Sequence, residues 1–258
     1  MRTKFRHLVF GVAASACLCG TAAFAEDAKT PEFTITGGAT LVSDYRFRGI
    51  SQTDRDWAIQ GNATLAHKSG FYVSFWSSSV DGYVTASGQG HQELDLIAGY
   101  KRAVGHTTFD LGLLYYVYPR RRLPGDRTSS NFAEPYADVA ETFGPITAKV
   151  TVNYAPKQKA LALDQIGPPS HDNVYLAGDL SAAIPKTPIG LTAHLGHTFG
   201  PSWLAIGKGY TDWSLGGTVT WKALTFGLQY VDTDGTFVTP TGRNAAGAGV
   251  VGSVGVSF

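Results

Sequence analysis

Charged residues recur two apart in several stretches of this chain: Asp44, Arg46 and Arg48, then Glu93 and Asp95, with Asp110 and Lys149 set singly among uncharged neighbours. A spacing of two puts side chains on one face of an extended strand. Charges carried by facing strands around a narrow water-filled space act at close range on whatever passes, and so set selectivity among ions and solutes. These seven residues are the expected lining of such a space. Asp110 is the weakest of them, because Leu114 and Tyr116 on its own parity are apolar. The competing use of the same residues is a structural ion-pair network that plugs the lumen, as in small barrels.

Catalysis finds less support. A hydrolase needs a nucleophile beside a base and an orienting group. His91 has Glu93 and Asp95 on its own face, but no serine stands in a recognisable nucleophile motif and no G-x-S-x-G occurs. His194 and His197, three apart on a strand, point to opposite faces and form no local metal pair. The glycine pairs Gly88/Gly90 and Gly207/Gly209 lack the strand-loop-helix setting of a phosphate cradle. The sequence therefore points to no catalytic residue, no metal and no cofactor, and an outer-membrane hydrolase is the least favoured alternative.

The elements that must position these charges follow a regular rhythm. Stretches of period-two alternation are joined by connections that run long, short, long, short to Phe258. This pattern predicts an all-β fold, a transmembrane antiparallel β-barrel of about twelve strands with tight turns on one side and longer loops on the other. The first strand is expected over 33–48, where Phe33, Ile35, Leu41, Tyr45 and Phe47 share one parity and Thr34, Thr36, Asp44, Arg46 and Arg48 the other. Further strands are expected over 57–65, 71–79, 91–101, 109–118, 131–142, 146–154, 174–182, 189–199, 213–221 and 224–232, and the last ends at Phe258. A soluble β-sandwich also has many short strands, but gives no reason for strict alternation of connection length. Tyr45, Phe47, Trp57, Tyr100, Tyr118, Trp213, Trp221 and Tyr230 fall near strand ends, as aromatic girdles do at membrane interfaces.

Arg2, Lys4 and Arg6 precede an apolar stretch and the small-residue site Ala23-Phe24-Ala25, the pattern of a cleaved signal peptide over 1–25, leaving a barrel over 26–258. The stretch is too short to cross a bilayer as a helix. Lipid anchoring through Cys17 is the rival reading, but Ala14-Ser15-Ala16 lacks the usual leucine. Both cysteines lie in the removed segment, so no disulfide is expected. Without the three leading basic residues, eighteen Lys and Arg stand against twenty Asp and Glu, a net charge of −2 that argues against nucleic acid as a partner. Hydrophobic residues make up 43%, aromatics 12% and glycines number 31, a composition suited to strands and turns. Mean hydropathy is close to zero, which fits a barrel that shows lipid only alternate side chains.

The segments LVSDYRFRGIS at 41–51, SGFYVSFWSSS at 69–79 and ELDLIAGY at 93–100 resemble the TorF family of porin-like proteobacterial outer-membrane proteins. The resemblance covers residues 33–101, with Phe75 where a smaller residue is expected. It implies a porin-like protein of the Gram-negative outer membrane, while about twelve strands and charged lumen positions point to a narrow channel for passive diffusion of small hydrophilic solutes or ions. A structural or adhesive barrel with a plugged lumen is the alternative. The family brings no functional residue to carry over. Phe258, closing a strand of alternating apolar residues, resembles the signal read by the barrel assembly machinery. Other expected partners are outer-membrane lipid and lipopolysaccharide. Arg120, Arg121, Arg122 and Arg127 form a basic loop patch that could meet lipopolysaccharide phosphates, stay solvated, or fold into the pore.

Overall fold

The structure, a computed structural model, describes residues 31–120 and 124–258. Twelve antiparallel strands close into a barrel: β1 (Phe33–Val42), β2 (Ala58–His67), β3 (Phe71–Ser79), β4 (Gln92–Val104), β5 (Thr107–Val117), β6 (Phe132–Phe143), β7 (Ile146–Ala155), β8 (Asn173–Ala183), β9 (Ile189–Phe199), β10 (Tyr210–Trp221), β11 (Leu224–Thr233) and β12 (Gly249–Ser257). Each strand pairs with its sequence neighbours, and β1 closes the ring by pairing with both β2 and β12. A closed ladder leaves no edge, so the backbone amides are satisfied from strand to strand, which any lipid-facing sheet requires.

Alternation sorts side chains radially. Ile59, Leu65, Phe75, Leu111, Val150, Leu180, Leu195, Leu215 and Leu228 all stand exposed on the outer wall. The opposite parity carries the polar and charged residues inward. Trp57 and Tyr230 lie at the long-loop rim, and Phe71, Phe143 and Trp221 at the short-turn rim, all exposed. Three of the aromatics expected in those girdles are instead inside. Tyr45 is buried, Phe47 packs edge-on to Tyr116, and Tyr118 packs against two interior clusters.

The reason is a strand that ends early. β1 stops at Val42, and the chain bends inward at Ser43 and Asp44 rather than running on to Arg48. Arg46–Phe47 then pairs with Ile50–Ser51 in a small hairpin whose tip is Arg48-Gly49, both at positive φ, 47° and 78°. The tip lies against the inner face of β10 and β11: a Cβ on Gly49 would run into Thr233 and come within 2.8 Å of the Asp212 Cβ. Only glycine fits there, on grounds of both space and backbone.

The long loops, L1 (43–57), L2 (80–91), L3 (118–131), L4 (156–172), L5 (200–209) and L6 (234–248), knit together across one end of the barrel. The Tyr83 hydroxyl donates to the Ser51 carbonyl, Asp81 N donates to the Gln52 carbonyl, and Ser51 N donates to the Ala245 carbonyl. Asp54 accepts from Thr239 and Thr241, and Gln165 in L4 accepts from Ala86 N and from Ser130 Oγ. At the seam, Phe258 exchanges backbone hydrogen bonds with Gly37, and its ring lies where a Cβ on Gly37 would come within 2.8 Å. The expected signal peptide and Arg121 and Arg122 lie outside the described residues.

Candidate functional site

Inward-facing charges form three clusters along the lumen. Nearest the loops, the L1 hairpin crosses the interior. Asp44 anchors its base, accepting from Arg46 Nε at 2.6 Å and Ser51 Oγ at 2.6 Å. Arg46 Nη1 donates to the carbonyls of Gly49, Ala245 and Gly247 at 2.9, 3.0 and 2.9 Å, tying L1 to L6. At the tip, Arg48 Nη2 donates to both carboxylate oxygens of Glu134 on β6, at 2.7 and 2.8 Å, with the two side chains only 5% and 0% exposed. Its Nη1 donates to Asn173 Oδ1 at 3.2 Å, and its guanidinium lies 4.2 Å from the centre of the Tyr175 ring. Glu134 also accepts from Tyr116 and Asn153. A buried carboxylate accepting four hydrogen bonds is well matched; it would be costly with its cation removed.

Asp44, Arg46 and Arg48 therefore do not lie on strand one, as their alternation implied, but on a loop turned back into the barrel. Glu93 and Asp95 are inward on β4 and buried, with Tyr45 donating to Glu93 at 3.2 Å. Glu93 Oε2 and Asp95 Oδ1 have no hydrogen-bond partner among the described residues.

Asp110 belongs to the second cluster. It is inward on β5, 2.8 Å from Lys101 Nζ, and accepts from Tyr72. Leu114 and Tyr116 share its parity because they are inward too, part of an apolar cluster with Phe132, Tyr136 and Leu161 that fills the lumen at the loop end. Apolar neighbours here mark packing inside, not lipid outside. Tyr72 in turn hydrogen-bonds Tyr136.

Lys149 belongs to the third, 3.1 Å from Asp179. His194 bridges Asp179 and Asp212 through its two ring nitrogens at 2.7 and 3.0 Å, and the Tyr175 hydroxyl reaches both His194 and Asp212. His197 points away and contacts Thr211 and Phe199. Glu134, Asp138, Asp179 and Asp212 were not singled out from the sequence, and His194 was considered only as half of a metal pair with His197. Their inward parity on β6, β8, β9 and β10 was the available signal.

The arrangement a hydrolase would need around His91 does not assemble. His91 is exposed at the end of L2, away from buried Glu93 and Asp95, and hydrogen-bonds no side chain among the described residues. In the basic loop, Arg120 is turned in, bonded to Asp126 at 2.7 Å and to Thr128, while Arg127 is exposed. Toward the short turns the lumen opens to water: inward Thr34 and Thr36 are exposed, whereas inward Thr40 and Val42 are buried.

Among solved structures, the NanC porin in its rhombohedral crystal form is similar at a TM-score of 0.57 and 12% identity, covering 87% of this chain and 99% of the porin. A membrane-protein structure from a study of in-meso crystallization is similar at 0.53 and 8% identity, covering 87% and 83%. These likenesses show the fold, that of an outer-membrane porin. No curated protein matches. A family model matches residues 25–256, and by that match the chain belongs to the bacterial family of unknown function described as Gcw_chp.

Proposed function

We propose that the protein is an outer-membrane channel of the porin kind, passing small hydrophilic solutes or ions through a lumen that the L1 hairpin constricts. The observation that carries the reading is the closed barrel whose inward face is charged along its length and wet at the short-turn end. Twelve strands lie between barrels filled by their own side chains and the wide porins of sixteen or more, so the path is narrow. Long loops would face outward and short turns the periplasm. Strand lumen positions carry Glu93, Asp95, Asp110, Glu134, Asp138, Asp179 and Asp212 against Lys101 and Lys149, with Arg48 added by L1. That excess favours cations. The TorF-like segments at 41–51, 69–79 and 93–100 fit the same role.

A second reading is favoured by one observation. The loop-side half of the lumen is packed, with Glu134, Asp95 and Tyr116 buried, as in a plugged structural barrel. Planar-bilayer recording of refolded protein separates the two, using the wild type and a variant with 46–51 replaced by a short Gly-Ser linker. Small cation-preferring steps in the wild type, or steps appearing once the hairpin is removed, support the channel. Silence in both leaves the structural barrel.

A further inference from the structure

We propose that His194 is a proton-operated prop for the L1 hairpin: its charged form keeps the constriction seated, and loss of its proton lifts it. The inference deepens the channel reading and rests on it wherever conductance is the readout. His194 stands on β9 between two carboxylates, with Nδ1 2.7 Å from Asp179 on β8 and Nε2 3.0 Å from Asp212 on β10. A neutral imidazole has one N–H, so only the imidazolium donates to both. The Tyr175 hydroxyl then donates to Asp212, 3.2 and 3.1 Å from its two oxygens, while lying 2.9 Å from Nε2. Every polar atom of the cluster is matched in that state.

The two carboxylates differ in what they keep once that charge is gone. The Asp179 side chain is 33% exposed and retains Lys149 of β7 at 3.1 Å. The Asp212 side chain is 3% exposed, and His194 is its only ion-pair partner among the described residues. Asp212 also lies directly under the hairpin tip, since a Cβ on Gly49 would come within 2.8 Å of its own Cβ. The remaining groups facing the cluster do not replace the lost cation: Tyr175 of β8 and buried Tyr210 of β10 are neutral, and Arg48 of L1, over the Tyr175 ring, is engaged with Glu134. A buried carboxylate without its counterion is costly, and lifting the tip admits water to it. The sign follows: the support is present at the lower pH, where His194 is protonated, and is lost as pH rises through its titration.

The test compares about pH 6 with about pH 10 by two readouts. One is open probability in planar bilayers. The other is the labelling rate of Ile50→Cys, buried while the hairpin is seated, by a water-soluble maleimide in a Cys17→Ser, Cys19→Ser background. That rate is divided by the rate for exposed Leu163→Cys at the same pH, which cancels the ionisation of the thiol itself. With His194 and Asp212 intact, both readouts are expected to rise about tenfold or more at the higher pH. His194→Gln should be lifted at both pH values, whereas Asp212→Asn, with no charge to leave unpaired, should stay seated at both. An unchanged labelling ratio with both residues intact, or a full step surviving in either variant, overturns the proposal. Thermal melting shows which variants fold, and Asp212→Asn decides if His194→Gln does not. Bilayers that stay silent even with 46–51 replaced by the linker would remove the channel reading, and the labelling would still decide this one.

Discussion

Replacing Arg48 by alanine tests whether one buried ion pair holds the constriction shut. The guanidinium is nearly unexposed, donates three hydrogen bonds, two of them to Glu134, and stacks on Tyr175. Removing one partner of a buried pair costs about 3–5 kcal/mol, because the remaining charge stays buried without its counterion. The strand ladder does not involve Arg48, so that cost falls on the seating of the hairpin rather than on the barrel. At about 1.4 kcal/mol per tenfold, the seated state loses a factor of roughly 10² to several times 10³ against a lifted one in which Glu134 is hydrated. In planar bilayers Arg48→Ala should therefore raise open probability and conductance sharply, with the melting temperature of the barrel nearly unchanged. Glu134→Ala should do the same, and the double variant should be no more open than either single one, since both remove the same contact. Wild-type currents in both single variants, or effects that simply add in the double, would refute the latch.

The remaining predictions bear on other parts of the molecule. Gly49→Ala should open the channel as Arg48→Ala does, because its Cβ would collide with Thr233 and its φ is 78°; currents identical to wild type would place the tip elsewhere. Gly37→Ala should lower the melting temperature, reflecting roughly 1–3 kcal/mol of overpacking between the Phe258 ring and Asn62 O at the closing seam; an unchanged melt would remove the seam argument. Leu111→Arg, on the lipid-facing wall, should cost about 2–4 kcal/mol in urea titrations of vesicle-refolded protein, far more than the same change at exposed Leu163 in L4. Under a salt gradient, Glu93→Gln and Asp138→Asn should shift the reversal potential toward zero; a shift toward greater cation preference would contradict the charge assignment.

Much of the fold was legible because strand pairing in this barrel is local. β3 and β9 run over 71–79 and 189–199, as their alternation implies, and the other strands from β2 onward differ only at their ends. Each strand pairs with its chain neighbours, so the period of two and the turn residues between runs carry nearly all the information. β1 was the exception, and for a physical reason. Tyr45 and Phe47 continue the apolar parity of Phe33 and Leu41, so nothing local marks the bend at Ser43. What holds the bend are acceptors far along the chain, the carbonyls of Ala245 and Gly247 for Arg46 and the carboxylate of Glu134 for Arg48.

By itself, then, the sequence determined which residues form the wall and which side of it each faces, because that depends on alternation between near neighbours. Only the tertiary structure decided which inward charges meet, that L1 turns into the lumen, and that the six loops meet across one end of the barrel. Those depend on the barrel closing, which brings β6, β8 and β10 across from L1 at distances no pattern in the chain encodes.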